Sequence, residues 1–321
     1  MSVRVGFSLL GILLIVAMAG ALVVGSVPVG RLLGEAALRD AVLWDIRAPR
    51  VLLACLVGGG VAAAGAAIQG LFRNPLADPA LIGVSGGAAL AASAFLVLGS
   101  GAGVTFGLPA SAFVGGLATT YLVMAVGRVT GNISGMLLAG IAVNAVSIAG
   151  VGLFAVIADD YELRSVTFWA LGSFNVSDWT SVAIASSTLV TVVLLYREGE
   201  RLNAMTLGDA EAGHLGIVVP ALRNRVIAYA AFTVGVAVAL TGVIAFVGLI
   251  VPHLVRLTLG SGHRVVIPGS ALLGALMVLI ADGLCRTVVA PAELPVGILT
   301  ALLGGPFFLY LLIRHKGKLG L

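Results

Sequence analysis

Asp159, Asp160 and Glu162 form the acidic group in this sequence that most invites a catalytic interpretation. Carboxylates this close together could hold Mg²⁺ against a diphosphate, as in prenyl-transfer enzymes. However, no second aspartate follows at the spacing that such enzymes use, and the topology predicted below puts the group on the outer side of a membrane. We therefore do not predict a magnesium-diphosphate site.

The sequence also lacks the residues with which a protein would hydrolyse a nucleotide. Its lysines, Lys316 and Lys318, lie in the C-terminal tail, and neither follows the glycine-rich frame of a P-loop. HExxH and GxSxG motifs are absent. The histidines and cysteines are too scattered for a metal site: His214, His253, His263, His315, Cys55 and Cys285. We predict no catalytic residue, no metal and no permanently bound cofactor, so an energised process would need a separate motor subunit.

The composition indicates the class of protein to which these few polar residues belong. Of the 321 residues, 60% are hydrophobic and 10% are charged, and the mean hydropathy is +1.15. Continuous apolar runs without a period of two favour membrane-spanning helices over a β-barrel. The 44 glycines indicate helices whose backbones approach closely. We predict an all-α polytopic membrane protein, and the distribution of its small net charge does not resemble a nucleic-acid-binding surface.

Apolar runs of membrane length predict ten transmembrane helices. They cover residues 5–25, 51–70, 80–98, 106–126, 134–157, 181–196, 226–240, 242–257, 265–284 and 296–313. The run from 226 to 257 could be one overlong span or two short spans that meet at Thr241 and Gly242. The distribution of basic residues decides between these alternatives.

With ten spans, both termini are cytoplasmic and 12 of the 18 basic residues face the cytoplasm, as the positive-inside rule favours. These residues are Arg4, Arg73, Arg128, Arg197, Arg201, Arg223, Arg225, Arg256, Arg264, Arg314, Lys316 and Lys318. A single span at 226–257 would place Arg256, Arg264 and the tail outside. We therefore predict two spans in this run.

The polar segment 202–219 lies between two membrane-length runs and so must lie outside the bilayer. If it is helical, Leu207, Ala210, Ala212 and Leu215 form a small apolar face. A segment this short could insert into a groove of a cytoplasmic partner. The alternative is an ordinary solvated loop, and the periodicity does not distinguish the two.

Several arginines remain on the outer side, where the rule does not expect them. They are Arg31, Arg39, Arg47, Arg50 and Arg286. Arginines at an outer membrane rim suggest an acidic partner or ligand from that side. The alternatives are snorkelling, or local pairing with Glu35, Asp40 and Asp45.

Asp282 is the one carboxylate inside a late span, four residues before Arg286. An i,i+4 ion pair that faces the bundle interior explains it more simply than a proton relay does. An ion-coupled secondary transporter would need carboxylates near the membrane midplane, and Asp282 is the lone candidate for that role.

The sequence resembles the FecCD/BtuC-type permeases of bacterial ATP-binding-cassette (ABC) importers almost from end to end. The matching blocks are residues 47–50, 69, 73–79, 138–142, 169, 172–173, 207–208, 215–216, 246–249, 252–253, 256, 282, 286, 293–297 and 304–307. The resemblance implies a single permease domain over residues 1–321 with the BtuC-like fold. It also implies a homodimer in the inner membrane with a central pathway, two cytoplasmic ATPases that carry ATP and Mg²⁺, and a periplasmic binding protein.

The resemblance also assigns roles to particular residues of this chain. The resemblance implies that the binding protein docks on Arg47, Arg50 and Arg286. It implies that the ATPase is coupled through the coupling-helix segment 202–219, by Leu207, Gly208, Asp209, Ala210, Leu215 and Gly216. The residues implied for the translocation pathway and its gate are Ser134, Met136, Leu137, Leu138, Ile141 and Asn144.

The solute is predicted by a finer resemblance. Residues 163–169 and 72–90 look most like the haem-importing branch, with ferric siderophores and cobalamin as the alternatives. No His or Tyr pair is placed in any predicted span as axial haem ligands. Transient passage would not need such ligands, because onward release requires weak contacts.

Overall fold

The computed structural model describes residues 2–24, 39–99, 104–131, 133–290 and 292–314, and these contain thirteen α-helices and no β-strand. The helices are α1 (Val3–Val23), α2 (Ala48–Leu71), α3 (Val84–Leu98), α4 (Val104–Thr130), α5 (Ile133–Ile157), α6 (Asp160–Ala170), α7 (Trp179–Arg197), α8 (Gly199–Met205), α9 (Asp209–His214), α10 (Val219–Thr241), α11 (Val247–Thr258), α12 (His263–Cys285) and α13 (Val296–Arg314). A π-helical turn, Ala41–Arg47, leads into α2, and a 3₁₀ turn, Pro79–Ile82, precedes α3. The all-α prediction is confirmed.

The apolar helices correspond to the predicted spans. Seven are long and apolar enough to cross a membrane, namely α1, α2, α4, α5, α7, α10 and α12. Three shorter apolar helices, α3, α11 and α13, coincide with the other three predicted spans. The number of ten crossings and the cytoplasmic location of both termini remain predictions.

The long apolar run after Arg225 is divided into α10 and α11, as predicted. The division occurs at residues 242–246, where Gly242 and Phe246 both have positive φ angles, of 71° and 66°. The helix α10 begins at Val219, before the predicted start of the span at residue 226. Pro220 in the first turn suits a helix start, so the helix includes the polar residues Arg223 and Arg225.

The helix α2 forms the core of the bundle. Every residue from 57 to 71 is buried, and α2 packs against α7, α10, α11 and α12. Its small residues allow this contact on several sides: a Cβ atom added at Gly65 would overlap the carbonyl oxygen of Gly248 in α11, and one at Gly58 would press on the carbonyl oxygen of Gly274 in α12. The predicted close packing of glycine-bearing helices is therefore confirmed.

We expect Gly65→Ala to destabilise the protein by about 1–3 kcal/mol or more, because neither helix backbone can move aside without losing its other contacts. The matched control is Gly152→Ala in α5, where an added Cβ meets no atom within 4 Å. The thermal unfolding midpoint of the purified protein in detergent measures both effects. Equal midpoints for the two variants would contradict this packing.

Candidate functional site

A buried cluster of charges lies where the start of α2 meets the end of α12. Asp282, whose side chain is 0% exposed, receives hydrogen bonds from Arg50 at 2.8 Å from Nη2 and 3.1 Å from Nε. On its other side, Nε of Arg286 lies 3.1 Å from the second carboxylate oxygen. The carboxylate is therefore held between two guanidinium groups. The predicted i,i+4 ion pair of Asp282 and Arg286 is confirmed.

Glu293, in the loop before α13, belongs to the same cluster. We call it the outer charge cluster, after its predicted side of the membrane, and it comprises Arg47, Arg50, Asp282, Arg286 and Glu293. Glu293 accepts a hydrogen bond of 2.9 Å from Nη1 of Arg50, and its side chain is 29% exposed. Asn175 accepts a longer one, of 3.4 Å, from Nη2 of the same arginine. One guanidinium group therefore connects α2, α12 and two loops.

Two more guanidinium groups hold the end of α1. Arg47 donates to the carbonyl oxygens of Leu22 and Val23, both at 2.8 Å, and Arg286 donates to that of Val24 at 3.2 Å. The last carbonyls of a helix have no partner within it and carry partial negative charge, so cations stabilise this end. Burial lowers the pKa of Arg286 from its ordinary value, although the nearby Asp282 opposes the shift.

The structure brings Arg47, Arg50 and Arg286 together but buries their side chains. They are 4%, 8% and 5% exposed, whereas the sequence predicted arginines at the outer rim that are open to a partner. The alternative of local pairing does not describe Arg50 and Arg286, whose carboxylate partners are Asp282 and Glu293. Asp40 pairs with Arg39, and Arg31 and Glu35 lie outside the described residues. The docking role itself stays a prediction.

At the opposite end of the bundle, α8 and α9 form the segment predicted to couple to an ATPase. Leu202 and Met205 are fully buried and anchor α8 to the bundle. Asp209, the first residue of α9, pairs with Arg223 at 3.2 Å and with Arg73 at 3.4 Å. The segment is therefore an anchored structure rather than a free loop.

The predicted apolar face of this segment is only partly correct. Leu207 and Leu215 are 64% and 63% exposed and Ala210 is exposed, but Ala212 is fully buried. The reason is that the segment is not one helix: Gly208, with φ of 125°, separates α8 from the six-residue α9. Val218, 69% exposed, extends the exposed apolar surface in place of Ala212. Among the other predicted coupling residues, Gly216 has a φ of 82°.

Sequence reasoning missed two polar residues that hold this segment. The side-chain oxygen of Asn203 accepts hydrogen bonds from the backbone nitrogen and from Nδ1 of His263, both at 2.8 Å, and so caps the start of α12. Glu198, which is buried, accepts from Arg201 at 2.7 Å and from Arg225 at 2.8 Å. Asparagine as a helix cap is a recognisable signal, but its helix begins 60 residues later.

The residues predicted for the pathway lie on different faces of α5. Ser134, Leu138 and Ile141 are exposed on an apolar face that nothing covers within the described chain. The others face inward within the protomer. Met136 is buried, Leu137 is half-buried, and Asn144 donates a 3.0 Å hydrogen bond to the carbonyl oxygen of Ala80.

Comparison with known proteins shows the family to which this chain belongs. Residues 9–314 match the sequence profile of the FecCD transport family. The chain belongs to the FecCD transport family. It is 43% identical to the hemin transport system permease protein HmuU of Yersinia pestis, over 98% of this chain and 96% of that protein. It is 36% identical to the vitamin B12 import system permease protein BtuC of Salmonella arizonae, over 85% of this chain and 83% of that protein.

Solved structures agree with this assignment. A structure described as a metal-chelate type ABC transporter in an inward-facing conformation has a TM-score of 0.87 and 33% identity, and the match covers 97% of this chain and 99% of that one. PsaBC from Streptococcus pneumoniae, at 17% identity and a TM-score of 0.60, shares the fold. This FecCD protein therefore has the BtuC-like permease fold and is a multi-pass protein of the bacterial inner membrane.

We expect Asp282→Asn to destabilise this FecCD protein by about 3–5 kcal/mol, because it removes the carboxylate that pairs with two buried guanidinium groups, those of Arg50 and Arg286. The matched control is Asp40→Asn, which removes the same charge from an exposed pair with Arg39. The yield of monodisperse protein and its thermal midpoint report the difference. If Asp282→Asn and Asp40→Asn have the same thermal midpoint, the cluster does not stabilise this end of the bundle.

Proposed function

We propose that this chain is the transmembrane permease subunit of an ABC importer that moves haem from the periplasm to the cytoplasm. The observation that carries the proposal is its 43% identity, over nearly its whole length, with the hemin transport permease HmuU. In this proposal it acts as a homodimer with two cytoplasmic ATPase subunits and a periplasmic binding protein. The chain itself carries no ATPase site, and haem is its solute rather than a resident cofactor.

The outer charge cluster supports docking of an acidic binding protein. It offers guanidinium donors to such a protein: Arg50 donates to both Asp282 and Glu293, and Arg286 pairs with Asp282. Because Asp282 is fully buried and Glu293 is 29% exposed, an acidic side chain would approach from the side of Glu293. It would compete with Glu293 for Arg50.

The cytoplasmic segment supports coupling to the ATPase. Leu207, Leu215 and Val218 form an exposed apolar surface at the end of the bundle opposite the charge cluster. Asp209 pairs with Arg73 after α2 and with Arg223 in α10, so a displaced α9 would pull on both. We propose that nucleotide binding on the ATPases moves this segment, and that the bundles respond by alternating access.

A ferric siderophore or cobalamin is the alternative solute. The 36% identity with BtuC supports cobalamin, but less strongly than the 43% identity with HmuU supports haem. An ion-coupled secondary transporter has less support. Asp282, the carboxylate it would use, is already paired with Arg50 and Arg286.

The solute is tested by reconstituting the permease with its ATPase and binding protein and measuring ATP hydrolysis. We expect haem to stimulate hydrolysis, and a ferric siderophore or cobalamin to leave it at the basal rate. Stimulation by cobalamin or a siderophore but not by haem would overturn the assignment while keeping the importer. Controls without the binding protein show whether stimulation requires delivery.

We expect Leu215→Asp to weaken binding of the ATPase subunit by about tenfold or more, because a carboxylate would be buried without a partner in the interface. The matched control is Val129→Asp, which is 89% exposed at the end of α4 on the same predicted side of the membrane. Co-purification of the ATPase subunit in detergent measures the association. Equal recovery with both variants would show that Leu215 lies outside the interface.

A further inference from the structure

A cavity of about 850 Å³ lies between α4 and α7, beside the outer half of α10. Its lower part is apolar, and the rings of Phe113 and Phe232 meet there edge to face at a centroid distance of 5.6 Å. Phe106 and Ile184 line its side and are 66% and 41% exposed. The cavity is therefore open to the surroundings of the bundle rather than sealed within it.

The other end of the cavity is polar and acidic. Asp178 and Glu293 both line it, together with the amide of Asn175. Asp178 caps α7 by accepting from the backbone nitrogen of Ser181 at 2.7 Å. Hydrogen bonds from the side chain and backbone of Ser181 lower the pKa of this carboxyl group, so Asp178 stays charged at neutral pH. Glu293 is paired with Arg50, so the negative charge at this end of the cavity comes from Asp178.

The polar and apolar ends are arranged along the helices that span the membrane. Asp178 lies at the start of α7 and Thr241 at the end of α10, at the same end of the bundle as the outer charge cluster, whereas Phe113 and Phe232 lie deeper along their helices. The polarity thus changes in the direction in which a bilayer changes from head groups to acyl chains. A volume of this size is in the range of ligand sites in proteins.

We propose that this cavity binds a phospholipid whose head group carries an ammonium ion, with the ammonium beside Asp178 and an acyl chain between the aromatic rings. The carboxylate of Asp178 disfavours both an anionic lipid and a solute with carboxylate groups, such as haem. In the predicted orientation the lipid comes from the periplasmic leaflet. This proposal rests on the membrane location of the chain and not on the identity of its solute.

The lipid head group would lie next to the outer charge cluster. Glu293 and Asn175, which line the cavity, are also the residues that accept hydrogen bonds from Arg50. The bound head group would therefore lie next to the ion pair of Arg50 and Glu293.

The test is native mass spectrometry of the permease released from nanodiscs that contain equal amounts of phosphatidylethanolamine and phosphatidylglycerol. We expect the wild-type protein to retain phosphatidylethanolamine with a preference of about twofold to fivefold, as for a partly exposed ion pair. Ile184→Trp, which fills the cavity, should abolish retention. Leu189→Trp is the matched control, because it is 54% exposed on the same helix and does not line the cavity.

Asp178→Asn tests the charge separately, since asparagine caps a helix as well as aspartate does and the fold should be kept. We expect this variant to retain both lipids equally. Equal retention of the two lipids by the wild type would overturn the proposal. Undiminished retention by Ile184→Trp, or displacement of the retained lipid by added haem, would also overturn it.

Discussion

The fold depends on one buried helix that is held by its ends. Along residues 57–71, α2 presents small side chains to helices on several sides, so the surrounding backbones approach closely but find few polar groups to fix their register. Polar residues supply that register at both ends. Arg50 binds Asp282 of α12 at the outer end, and Gln69 donates to the carbonyl oxygen of Leu249 in α11, at 3.1 Å, at the inner end. Arg256 in turn donates to Gln69.

The helix α12 joins the two candidate sites in a similar way. Its first residue, His263, is held by Asn203 of α8, next to the coupling segment, and its outer end carries Asp282 between two guanidinium groups. A 23-residue helix is about 34 Å long, which is roughly the thickness of the hydrocarbon core. The two candidate sites are therefore connected by a single helix.

The sequence alone predicted the ten apolar helices because each is an apolar run, but not the short polar helices α6, α8 and α9. It predicted the division after Arg225 because charge placement requires it. It could not predict the burial of the arginines, since the partners of Arg50 lie 232 and 243 residues further along the chain. It misjudged Ala212 because helical periodicity was extended across Gly208, where the backbone turns. The coupling segment was located by its polarity, but its exposed face depends on local backbone angles that composition does not reveal.

We expect this bundle to move its solute only with energy from a separate ATPase. The direct test is haem uptake into proteoliposomes that contain the permease, with and without the ATPase subunits, under an ATP supply or an imposed ion gradient. We expect accumulation only when the ATPase subunits and ATP are both present with the binding protein. Accumulation by the permease alone, driven by a proton or sodium gradient, would contradict this expectation.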